Sequence, residues 1–100
     1  MVRHVILWCL KDTLTNEEKT KVKLEAKEHL EALKGKIEGL IDIKVNINPL
    51  PTSNAEMMLD SAFESADALS KYAVHPEHVA VADGYVRPYT KSRSCMDYEV

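Results

Sequence analysis

The sequence predicts an α+β fold in the order β–α–β–β–α–β: a ferredoxin-like, four-stranded antiparallel sheet with its helices on one face. Three observations carry that expectation. Residues 40–48 alternate apolar and polar side chains, as a half-buried strand does. Thr15 and Glu18 form a capping box ahead of apolar residues at helical spacing. His75-Pro76 interrupts a second helical stretch that precedes a last alternating segment.

Taken in order, Val2 to Leu10 reads as the first strand. It is rich in β-branched and aromatic residues and stops at Lys11-Asp12. Val2, His4, Ile6, Trp8 and Leu10 share one face; Arg3, Val5, Leu7 and Cys9 share the other. The helix opened by Thr15 is expected to run to about Lys34 and to end at Gly35. Val22, Ala26, His29, Leu30 and Leu33 form its apolar stripe, and Leu24 falls off it. In the second strand Ile41, Ile43, Val45 and Ile47 are expected to point inward. Pro49 to Asn54 is a turn-rich connection to a third strand, Glu56 to Phe63. Ser65 caps a second helix whose buried side is expected to be Ala66, Leu69 and Ala73. Proline suits the first turn of a helix, so a helix restarts at Pro76 and runs to about Arg87, before Pro88. Lys91 to Glu99 is the fourth strand.

One domain over residues 1–100 suits this length. The net charge of −3 excludes the basic footprint of a nucleic-acid binder. The run Val5 to Leu10 is too short to span a bilayer, and the first residues lack the pattern of a secretory signal. The expected location is the cytoplasm, with Cys9 and Cys95 reduced. Both faces of the first strand are largely apolar, and one layer of helices covers only one of them. A homodimer formed through sheet faces is therefore expected.

Several segments together resemble the stress-responsive A/B barrel (Dabb) domains. They are Arg3 to Trp8, Leu33 to Ile37, Asn46 to Pro49, Phe63-Glu64-Ser65, His75-Pro76-Glu77-His78 and Met96 to Val100. The resemblance covers nearly the whole chain. It implies a ferredoxin-like monomer and a dimer whose two sheets form an α/β barrel. Plant members are described as stress-responsive, and most members have no established activity. One plant member, olivetolic acid cyclase, closes a linear polyketide by an intramolecular aldol step through a tyrosine and a histidine. Those positions match Tyr72 and His78 here, and a histidine of its first strand matches His4.

The chemistry of the residues fits such a role. Tyr72, His75 and His78 are spaced by three, so a helix brings them toward one face. A histidine exchanges a proton near neutral pH, and a tyrosine hydroxyl stabilises negative charge developing on a carbonyl oxygen. His78 is thus the candidate base and Tyr72 the candidate oxygen-binding donor. His4, His75 and Trp8 are the candidate substrate contacts, with Trp8 narrowing any space beside His4. No cofactor is expected: the chain has no glycine-rich phosphate loop and no Gly-x-Ser-x-Gly motif. No metal is expected either, because the histidine and cysteine spacings match no ligand motif.

Three readings stay open at this level. The chain binds a small apolar oxygenated molecule between helices and sheet. Alternatively it is a cyclase- or isomerase-type enzyme using Tyr72 and His78 for proton transfer. Or it is a non-catalytic, stress-related structural module.

Overall fold

In the computed structural model, which describes residues 1–100, the chain forms β1 (Val2–Leu10), α1 (Asn16–Glu31), β2 (Leu40–Asn46), β3 (Met57–Phe63), α2 (Ala66–Ala73), α3 (Pro76–Val81) and β4 (Thr90–Glu99). The strands build one antiparallel sheet in the order β2-β3-β1-β4. This is the expected ferredoxin-like topology.

The capping box forms as the sequence implies. Thr15 Oγ1 accepts from the Glu18 amide at 3.1 Å, and Glu18 Oε1 accepts from the Thr15 amide at 2.9 Å. These bonds satisfy two amides that a helix start otherwise leaves bare. Val22, Ala26, Leu30 and Leu33 are buried and join Ile6, Trp8, Leu10, Val45, Leu59 and Phe63 in the core. His29 is only half-buried, and its ring stacks on Tyr85 with centroids 3.8 Å apart. Leu24 is exposed. The regular helix stops at Glu31, earlier than Lys34, and residues 33–36 continue as hydrogen-bonded turns.

Two inward faces differ from expectation. The register of β2 on β3 shifts between Leu40 and Asp42, which turns Ile41 outward while Ile43 and Val45 stay buried. A one-residue bulge reverses the side of every residue before it relative to strict alternation. In α2 the inward side is Ala68, Leu69 and Tyr72, whereas Ala66 and Ala73 are exposed. A close approach explains the choice. Gly39 has φ +84, and a Cβ placed on it would lie 2.6 Å from the Ala68 Cβ. Only glycine lets Ala68 come so near.

After α3 the chain does not stop but widens into a π-helical turn, Ala82–Val86, followed by a 3-10 turn, Arg87–Tyr89. The wide turn places Ala82 and Val86 inward. The outer edge of β2 is also covered at Val45. Lys27 Nζ donates to the Val45 carbonyl at 2.7 Å, and Glu31 Oε2 accepts from the Val45 amide at 2.9 Å. An edge residue with both backbone groups taken makes that point of the strand a poor template for unwanted pairing.

All the helices pack on one face of the sheet. The other carries Val5, Leu7, Met58, Met96 and Tyr98, with Arg3 paired to Asp60 at 3.1 Å. Leu7, Met96 and Tyr98 are exposed there. Cys9 belongs to this open face and Cys95 to the helix side, so the sheet separates the two free thiols.

Candidate active-site cavity

Between the helices and the sheet lies a cavity of about 160 Å³. Its sheet wall is His4, Ile6, Trp8 and Leu59; its helical wall includes Leu30, Leu69, Tyr72, His78 and Val86; Arg87, Thr90 and Arg93 line it as well. The alternation of β1 delivers His4, Ile6 and Trp8 to it together, as the shared face required. Four of the five sequence-derived candidates meet here: Tyr72, His78, His4 and Trp8.

His4 is held firmly. Its Nδ1 lies 2.5 Å from Asp97 Oδ1, directly opposite it on β4, and its carbonyl accepts from Ser61 Oγ at 2.8 Å. A carboxylate on one ring nitrogen fixes the ring's orientation and tautomer. His78 is oriented by its own chain. Its Nδ1 lies 3.3 Å from the Ala73 carbonyl. A carbonyl only accepts, so Nδ1 carries the proton and Nε2 keeps a lone pair. Burial pushes the His78 pKa below its ordinary 6.5, and the Arg87 charge adds to that; the Ala73 bond opposes it. His78 is therefore a neutral imidazole with a basic nitrogen near neutral pH.

Tyr72 is 1% exposed, and its hydroxyl makes no hydrogen bond to any protein group. Its ring packs on Phe63 at 4.9 Å and on His78 at 4.1 Å between centroids. Burial raises its pKa well above the usual phenol value, so it stays protonated and can only donate or accept as a neutral group. A buried hydroxyl without a partner costs roughly 1–3 kcal/mol. It is the one such side-chain atom in the molecule.

His75 does not line this cavity. It is the N-cap of α3, where its Nδ1 accepts from the Glu77 amide at 3.1 Å, and it borders a separate surface groove with Gly39 and Lys71. Pro76 breaks the helix between Tyr72 and His78, so spacing by three does not carry His75 along. Sequence reasoning did not single out Asp97, Arg87 or Arg93. Asp97 becomes visible only through the β1–β4 register, which sets it against His4.

No helix is long and apolar enough to cross a membrane. None of the curated proteins matches the chain in sequence. Among solved structures it is similar to a dimeric protein of unknown function and ferredoxin-like fold from Bacteroides fragilis, at 38% identity and TM-score 0.92, covering 99% of this chain and 95% of that one. It is also similar in fold to a Dabb family protein from Mesorhizobium loti, at 22% identity and TM-score 0.75, covering 99% and 95%. A hydroxynitrile lyase from Passiflora edulis shares the fold at 15% identity and TM-score 0.71, covering 97% and 90%. The profile of the Stress Responsive A/B Barrel Domain matches residues 2–100, and the chain belongs to that family.

Proposed function

We propose that the helix-side cavity binds a small apolar molecule carrying a carbonyl group, and that Tyr72 and His78 move a proton beside that carbonyl. The observation that carries the reading is the buried, unpartnered hydroxyl of Tyr72, a residue that lines a cavity walled mostly by apolar groups. A carbonyl oxygen accepting from it relieves the desolvation cost and gains strength as negative charge builds on that oxygen. His78 Nε2, uncharged and unblocked, is the base that takes a proton from the adjacent carbon. Enolisation, isomerisation and aldol closure all begin with this step.

Size narrows the substrate. The cavity of about 160 Å³ is close to the ~150 Å³ that holds one benzene, and below the ~300 Å³ at which drug-sized sites begin. Trp8, 5% exposed, fills space on the sheet wall. A single ring or a short branched chain fits; a multi-ring polyketide does not. The hydroxynitrile lyase supports only the point that this fold houses an enzyme.

The working unit is a homodimer joined through the open sheet faces. Val5, Leu7, Met58, Met96 and Tyr98 make an uncovered apolar stripe, and the Bacteroides relative is described as dimeric. The two free thiols, kept apart by the sheet, favour a cytoplasmic location.

Exchange of α-protons for deuterium in small aldehydes and ketones, followed by NMR, tests the catalytic assignment. Exchange should accelerate with the parent protein and fall to background in Tyr72→Phe and His78→Gln. Undiminished exchange in both variants rules the mechanism out. Thermal shift against the same compounds separates binding from catalysis, since a bound ligand raises the melting temperature.

A further inference from the structure

We propose that His4, Cys95 and Asp97 form a binding site for one borderline-soft divalent metal ion of the zinc class. The three side chains converge across the β1–β4 seam. Cys95 and Asp97 are two apart on β4 and so share a face, and His4 stands opposite Asp97 on β1. His4 Nδ1, Cys95 Sγ and Asp97 Oδ1 all lie within 4.8 Å of one another. Residues 91 and 93 positions apart in the chain are joined only by strand register, which explains why spacing motifs do not reveal the set.

The geometry suits a first-row ion. The donor atoms are 2.5, 3.5 and 3.7 Å apart, so a point just off their plane lies about 2.1 Å from all three, near zinc–nitrogen and zinc–oxygen bond lengths, with zinc–sulfur at ~2.3 Å. The nitrogen–oxygen edge is the one that must open. Asp97 supplies that freedom, because its side chain is 45% exposed while His4 is buried. One nitrogen, one sulfur and one oxygen select zinc-like ions over magnesium or calcium, which prefer oxygen alone. Thiolate and carboxylate together balance the ion's two charges, with Arg93 on the same strand face as the opposing cation. On binding, the Cys95 S–H bond breaks, a metal–sulfur bond forms and the proton leaves to solvent. Three protein ligands leave a fourth position open, as in metal sites that hold water or substrate. His4 places the site against the cavity wall. The site stands whether or not Tyr72 and His78 are catalytic.

Cobalt(II) is the probe, since it occupies zinc sites and reports a bound thiolate through a near-ultraviolet charge-transfer band. Titration of the reduced, metal-free protein should give that band at one ion per chain, and added zinc should abolish it. Cys95→Ser should remove the band. Cys9→Ser, which alters the other thiol on the opposite sheet face, should keep it. Asp97→Asn should weaken cobalt binding at least ~tenfold. Both β4 substitutions lie on an exposed strand, and circular dichroism of each variant confirms that the fold is retained. No band at millimolar cobalt, a band that survives Cys95→Ser, a band lost in Cys9→Ser, or parental affinity in Asp97→Asn overturns the assignment.

Discussion

Leu7 and Trp8 are neighbours in the chain and meet opposite surroundings. Trp8 is 5% exposed beneath the helices, and Leu7 is 41% exposed on the bare side of the same strand. The helix face closes over a small cavity that gathers His4, Tyr72 and His78. The bare face gathers no histidine; it carries an apolar stripe beside the Arg3–Asp60 pair and the Cys9 thiol. In the proposed reading one sheet separates two tasks: chemistry on the covered side, self-association on the other. Apolar content alone does not distinguish them, because both faces of β1 are largely apolar. The covered face is the one to which the helical stripes return.

The sharpest way to break the comparison is to remove each neighbour in turn. Trp8→Ala should destabilise the fold by about 3–5 kcal/mol, the usual range for a large aromatic lost from a core, read as a lower denaturant midpoint. It should also widen the cavity enough to admit larger rings. Leu7→Asp should leave the protomer folded and weaken the dimer by at least ~100-fold, since a buried unpaired charge costs several kcal/mol and each 1.4 kcal/mol is tenfold. Light scattering should then report the monomer mass at micromolar concentration. An unchanged dimer would move the interface away from the open face.

Smaller effects sharpen the covered side. Tyr72→Phe removes the unpartnered hydroxyl and should stabilise the ligand-free protein by about 1 kcal/mol, while lowering ligand-induced thermal shifts. A loss of stability in that variant would mean that the hydroxyl has a partner in solution. His78 contributes a pH dependence of known sign. Its folded pKa lies below the ordinary 6.5, so the unfolded chain binds the proton more readily. Its share of stability is complete above 6.5 and is lost as pH falls toward the folded value. His78→Gln should flatten the fall in melting temperature between about pH 7 and pH 5, and an unaltered slope would place the titrating group elsewhere.

Much of the fold was legible residue by residue. Thr15 and Glu18 announced the helix start, and β1 announced two apolar faces. Tyr72 and His78 were legible as a pair, because their spacing and the likeness to A/B barrel domains pointed the same way. Ile41 was misplaced, because alternation does not reveal a bulge that depends on β3. Ala66 and Ala73 were misplaced, because small residues fit either side of a helix and the approach of Gly39 decided which side was used. Asp97 was hidden for a different reason: nothing local distinguishes it from any exposed aspartate.

Sequence by itself determined the element order, the helix starts, the alternating faces and the residue types available for proton transfer, because these follow from local geometry and periodicity. Tertiary structure alone decided the size of the cavity, the orphaned state of the Tyr72 hydroxyl, the exclusion of His75 and the meeting of His4 with Asp97 and Cys95. Each of those depends on strand register or on the distance between packed layers, and both are set by contacts between residues far apart in the chain.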